Sequence, residues 1–158
     1  MPSAGWRTLV PSARALCRRA ARAALATANA RAVGEMAIVL ADDATLHDLN
    51  RDFRGQDKPT NVLAFPAAQS GPAGAELVLG DVVIAAETVA AEAAGQGKPV
   101  AHHLAHLVVH GVLHLLGYTH DGKADSRRME ALETQALRAL DIPDPYVLGA
   151  PPARRKRP

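Results

Sequence analysis

At 158 residues, 48% of them apolar but only 3% aromatic, the chain can bury a sizeable core in one compact domain, with Ala, Leu and Val doing most of the packing. A single cysteine, Cys17, excludes a disulfide framework and suits a reducing cytoplasm, and no apolar run approaches the ~18 residues of a membrane span. The formal charge of +2 conceals an asymmetry: residues 1–34 carry six Arg and no acid, residues 35–150 carry eight basic and sixteen acidic residues, and residues 151–158 add four more bases.

In chain order, Trp6–Val10 is a weak strand candidate. Residues 11–29 predict a basic amphipathic helix with Leu16, Ala20, Ala24 and Leu25 toward the core. Its Arg14, Arg18 and Arg22 step by four; they form either a solvated face or a contact for a polyanion. The acid-free, Arg- and Ala-rich start has the composition of a mitochondrial transit peptide. Arg and Ala recur throughout the chain, however, and the segment is taken as part of the fold.

Residues 35–41, EMAIVLA, are a buried strand. Asp42 or Asp43 can cap a helix whose apolar stripe is Leu46, Leu49 and Phe53. Residues 54–60 form a loop, because Gly55 and Pro59 exclude regular structure, and residues 61–66 a strand. Residues 67–76 are a flexible connection, 77–84 a strand and 85–95 an Ala-rich helix closed by Gly95 and Gly97. A helix over 99–117 is apolar almost all round, and a last helix over 124–140 uses Met129, Leu132, Ala136, Leu137 and Leu140. The Pro- and Arg-rich residues 149–158 are expected to be a basic, disordered tail. Helices and a few strands in irregular order predict an α+β domain over residues 1–148, a small mixed sheet of three to four strands packed with about five helices.

The chemistry concentrates in HGVLHLLGYTH, residues 110–120, which spaces three histidines as H-x3-H-x2-G-x2-H. His110 and His114 lie about one turn apart on one helix face, about 6 Å along the axis. Gly117 can end the helix in the left-handed conformation, after which the chain turns back and His120 can reach the same point. Three separately satisfied core histidines are the plain alternative. Each buried imidazole would then need its own partner, whereas one ion satisfies all three and leaves a fourth tetrahedral position open, as catalytic zinc requires. One Zn2+ per chain is the expectation.

This is the histidine spacing of the metzincin proteases, H-E-x-x-H-x-x-G-x-x-H, whose Glu is the general base that activates water. Here that position is Gly111, which has no side chain. The metal geometry is kept and the protease base is gone.

Two further blocks, LNRDFRGQDKPTNVLAFP at 49–66 and LGDVVIA at 79–85, complete a pattern with the histidine motif. Together with MEALE at 129–133 and DPY at 144–146, the chain over about 35–146 resembles the YbeY family of bacterial endoribonucleases. The resemblance implies a zincin-like metal helix and metal ligands at His110, His114 and His120. It also implies a functionally important arginine at Arg54, and a cytoplasmic role in 16S rRNA 3′-end maturation and ribosome quality control. Single-stranded RNA, the small ribosomal subunit and its assembly factors are the implied partners, with no membrane and no DNA. Two departures stand out: Thr119 replaces an Asp usual before the third His, and the short strand that opens similar proteins is represented only by Trp6–Val10.

Phosphodiester cleavage builds negative charge at phosphorus. Bound zinc can act as a Lewis acid or lower the pKa of water, and a guanidinium can hold the phosphate bidentately. Arg54 is the candidate for that guanidinium, with Lys58 and His106 as weaker substrate contacts; the plain reading of Arg54 is a surface residue paired with Asp52 or Asp57. Two alternatives accompany the endoribonuclease. A zincin-like peptide or amide hydrolase is disfavoured by Gly111. A ribosome-assembly factor with structural zinc is disfavoured by the open fourth position.

Overall fold

The computed structural model describes residues 4–28, 34–58, 60–67 and 77–146. Three strands form one mixed sheet in the order β1-β3-β2. The central β3 (Leu77–Ala85) runs parallel to β1 (Gly34–Ala41) and antiparallel to β2 (Val62–Pro66). Six helices accompany it among the described residues: α1 (Ala4–Leu9), α2 (Ala13–Thr27), α3 (Asp43–Arg54), α4 (Ala86–Gln96), α5 (Val100–Leu115) and α6 (Lys123–Ala139). This is the α+β architecture expected. The flexible connection, from residue 68 onward, and the basic tail at 149–158 lie outside the described residues.

Side-chain alternation along β3 divides the core in two. Val82 and Ile84 join Ala64 of β2 and the apolar faces of α2, α5 and α6 in the main core. Val83 and Ala85 face the other way and, with Ala41 and Leu63, are covered by Leu46 and Leu49 of α3. The short side chains Ala20, Ala21 and Ala24 are all buried on α2 with Leu16 and Cys17, which lets this helix approach α5 and α6 closely in a core poor in aromatics. Burial pushes the Cys17 thiol up to about 12, so it stays protonated and unreactive.

Three expectations change. The strand at 35–41, expected to be buried, is the edge strand β1, with Glu35, Ala37 and Val39 exposed and only Leu40 and Ala41 buried. The weak strand at 6–10 is the helix α1: its sequence has no apolar alternation, and Trp6 instead plugs the main core, fully buried, with its indole N–H donating to the Ile84 carbonyl at 3.4 Å. Phe53, the third member of the α3 stripe, is 69% exposed. It sits in the last turn, beyond the small second core, and packs edge to face on Phe65 with ring centroids 5.6 Å apart.

The caps of α3 and α4 interlock. Asp42 accepts from the Thr45 amide at 2.9 Å and caps α3. Asp43 accepts from both the amide and the hydroxyl of Thr88 at 2.9 and 2.8 Å, while its own amide donates to Glu87 at 2.8 Å. Each helix thus satisfies N-terminal groups of the other.

The contact that sets the height of α5 above the sheet is at Gly111. A Cβ there would lie 2.6 Å from Val82 Cγ1 and 3.0 Å from Cγ2. The helix therefore rests on β3 through a residue without a side chain. Gly111→Ala is expected to destabilise the fold by about 1–3 kcal/mol through overpacking. In a double-mutant cycle followed by denaturant unfolding, the same substitution should cost less when Val82 is already Ala. An equal cost in both backgrounds would show that this contact does not set the spacing.

Candidate metal centre

The end of α5 builds the site. Gly117 takes φ +101°, and the Tyr118 amide donates back to the Leu113 carbonyl at 3.1 Å. This Schellman-type turn ends the helix and swings residues 118–120 toward its own face. His110, His114 and His120 thereby bring one ring nitrogen each to within 4.8 Å of one another. The Nε2 atoms of His110 and His114 face each other at 3.1 Å, and the His110 and His120 rings stack with centroids 4.9 Å apart. A tetrahedral ion at the usual zinc–nitrogen distance needs its nitrogens about 3.3 Å apart; the His110–His114 pair is close to that spacing and His120 lies within 4.8 Å, so the three could hold a divalent metal. Burial, followed by the neighbouring His110 and His120 imidazoles, pushes His114 below the ordinary histidine range and favours the neutral form that binds metal.

Behind His110 lies Glu133 of α6, with its side chain fully buried. Its Oε2 accepts from His110 Nδ1 at 2.6 Å. Its Oε1 accepts from His106 Nε2 at 2.8 Å and from the Tyr146 hydroxyl. Burial works to raise the pKa of this carboxyl, but the three hydrogen bonds outweigh it and hold it down to about 2.

In front of the histidines opens a cleft of about 510 Å³. Its walls include His110, Gly111 and His114 from α5, Tyr118 and Thr119 from the returning turn, Ala64 and Pro66 from β2, and Arg54 from the end of α3. The Arg54 guanidinium reaches over the edge strand, donating from Nη2 to the Ala64 carbonyl at 3.4 Å. Its two expected acidic partners are engaged elsewhere, Asp52 with Arg51 and Asp57 with His47.

Arg54 and the histidine motif, 56 residues apart at the nearest, thus share one cavity. Lys58 and His106 do not line it. Lys58 is exposed on the loop after α3, where its carbonyl accepts from Asn50 at 2.9 Å. His106 is turned back onto Glu133 and Tyr146. A larger groove, about 790 Å³, lies away from the histidines between α2 and β1, with Arg14, Arg18 and Arg22 along one wall.

Glu133 closes the MEALE block of the resemblance, but sequence reasoning gives it no role. The signal was present: it falls four residues after Met129 and four before Leu137, both fully buried, so an acid occupies the apolar stripe of α6. Such an acid needs a buried partner. Asn61, whose amide donates to Glu92 at 2.9 Å, also lines the cleft without having been singled out.

Comparison with known proteins gives a consistent picture. The model of the family described as "Endoribonuclease YbeY" matches residues 7–141. A protein of that description from Paramagnetospirillum magneticum is 53% identical over 151 residues, covering 92% of each chain. Another from Azorhizobium caulinodans is 50% identical over 148 residues, again covering 92% of each. The solution structure of TM1509 from Thermotoga maritima superposes with a TM-score of 0.52 at 22% identity, over 81% of this chain and 83% of that one, and so shares the fold.

Protons compete with metal for the imidazoles. Because His114 lies below its ordinary 6.5, its share of that competition begins only below pH 6.5. Affinity for added zinc, read by competition with a chromophoric chelator, should fall as the pH is lowered below that value. His114→Ala should cost more than the ~10–100-fold typical of losing an outer partner. Unchanged affinity in that variant would remove His114 from the ligand set.

Proposed function

The chain belongs to the YbeY family of endoribonucleases, and on that premise we propose that it cuts single-stranded RNA with one zinc ion held by His110, His114 and His120 and with Arg54 as the catalytic arginine. The observation that carries this reading is the shared cleft, in which a guanidinium from α3 and two of the three histidines line one cavity. Bound there, zinc would supply Lewis acidity toward a phosphate oxygen and a lowered pKa for water.

The chain's own residues supply the rest. Arg54, with one nitrogen on the Ala64 carbonyl, keeps further N–H groups for the phosphate, and its charge persists at every working pH. Such a group favours the transition state because negative charge grows on the phosphoryl oxygens as the attacking oxygen bonds to phosphorus, before the leaving oxygen departs with its electron pair. A cleft of about 510 Å³ suits one strand rather than a duplex. With so few aromatics, affinity would come from the RNA backbone and fall steeply with salt.

Gly111 argues against a peptidase. The space a general base would need there is filled by Val82. Among the described residues the metal-ligating group has three members, which supports a catalytic over a closed structural site. We assign the activity to 16S rRNA 3′-end maturation and ribosome quality control in the cytoplasm, with the small subunit and its assembly factors as partners. Residues 1–148 would form the working unit and 149–158 a basic tail. No described helix is long and apolar enough to cross a membrane.

The test is cleavage of a labelled single-stranded RNA spanning the 3′ end of small-subunit rRNA. Arg54→Ala is expected to lower the rate by roughly 10²–10³ with metal content unchanged. His114→Ala should lose metal and cleavage together. If well-metallated wild type fails to cut, or all three proteins cut alike, the reading is wrong.

A further inference from the structure

We propose that Glu133 is the positioning residue of the metal centre: from α6 it fixes the tautomer and orientation of His110, so that Nε2 and not Nδ1 faces His114 and His120. The inference rests on the metal-centre reading above and concerns a residue that never touches the ion itself.

Hydrogen-bond accounting carries it. The Glu133 side chain is fully buried, and three groups point at its two oxygens: His110 Nδ1 at 2.6 Å, His106 Nε2 at 2.8 Å and the Tyr146 hydroxyl. A carboxylate only accepts, so all three must donate. A neutral imidazole that donates from Nδ1 keeps its lone pair on Nε2, which is the atom 3.1 Å from His114 Nε2. The same accounting puts the His106 proton on Nε2, and His106 Nδ1 finds no partner among the described residues.

Charge points the same way. Among the described residues Glu133 has no Lys or Arg partner; its ion-pair partners are the two imidazoles. A buried anion with only neutral donors around it is costly. A dication on the far nitrogen of His110 would balance it across one ring, and the negative carboxylate would in turn make that ring a better donor. Tyr146 closes the remaining side of Glu133, which ties the chain after α6 to the back of the site.

The metal-free protein can be tested first. Imidazole nitrogen NMR should find His110 protonated at Nδ1 with a free Nε2. Protonation at Nε2 would overturn the proposal without any variant being made. Glu133→Gln, which keeps the shape and removes the charge, should lose that tautomer preference and bind zinc ~10–100-fold more weakly by chelator competition while its circular dichroism stays native. Tyr146→Phe leaves the His110 bond in place and should bind zinc within a few-fold of wild type. A folded Glu133→Gln protein with wild-type zinc affinity and an unchanged His110 tautomer would overturn the proposal. Wild-type protein with the Nδ1–H tautomer but no zinc binding would instead sink the metal-centre reading.

Discussion

The seat of α5 on β3 governs everything that follows. Gly111 lets the helix axis come close enough that even a methyl group would collide with Val82. That closeness has two consequences. It places His110 and His114, one position before and three after the contact, against the sheet at the level of β2, where Arg54 can reach over the edge strand into the same cleft. It also removes the position from which a zinc protease would present its general base. One steric fact thus both builds the cleft and restricts the chemistry available in it.

The parts of this arrangement visible in the sequence are those written as periodicity or spacing. The five longer helices and three strands follow from apolar stripes and alternation, and the convergence of His110, His114 and His120 follows from one helical turn plus a turn at Gly117. The helix around Trp6 is not legible in the sequence because a six-residue segment with two large apolar side chains, Trp6 and Leu9, has no period to measure; the burial of Trp6 beside Ile84 is a tertiary fact. Phe53 matched the α3 stripe but lies past the end of the surface that stripe covers, a matter of where the second core stops. Arg54 illustrates the opposite case. Residue chemistry alone favoured a surface pair with Asp52 or Asp57, and only family resemblance singled it out. In the fold those acids hold Arg51 and His47, and the guanidinium turns to β2.

Glu133 shows why a motif underdescribes a site. The histidine triad is local in sequence, and its outer support is not. It comes from α6, the helix packed beside α5, 23 residues beyond His110. A pattern search over the triad sees ligands; a search for polar residues on apolar stripes sees the group that orients them. The two signals are independent, and their meeting at one imidazole is a stronger indication of a built metal site than either alone.

The distribution of charge then follows from what each end of the site must do. Acid is placed behind His110, buried, where it acts through the ring. On the cleft side Arg54 presents positive charge, and Thr119 is uncharged. The cleft thus presents the Arg54 guanidinium on one wall and the His110 and His114 imidazoles on the other, with the carboxylate set back behind a ring. Were that acid on the cleft wall itself, it would oppose any anion that Arg54 attracts. Placed behind His110, it acts on the cleft from a longer distance than a carboxylate on the cleft wall would, and its complete burial keeps it there.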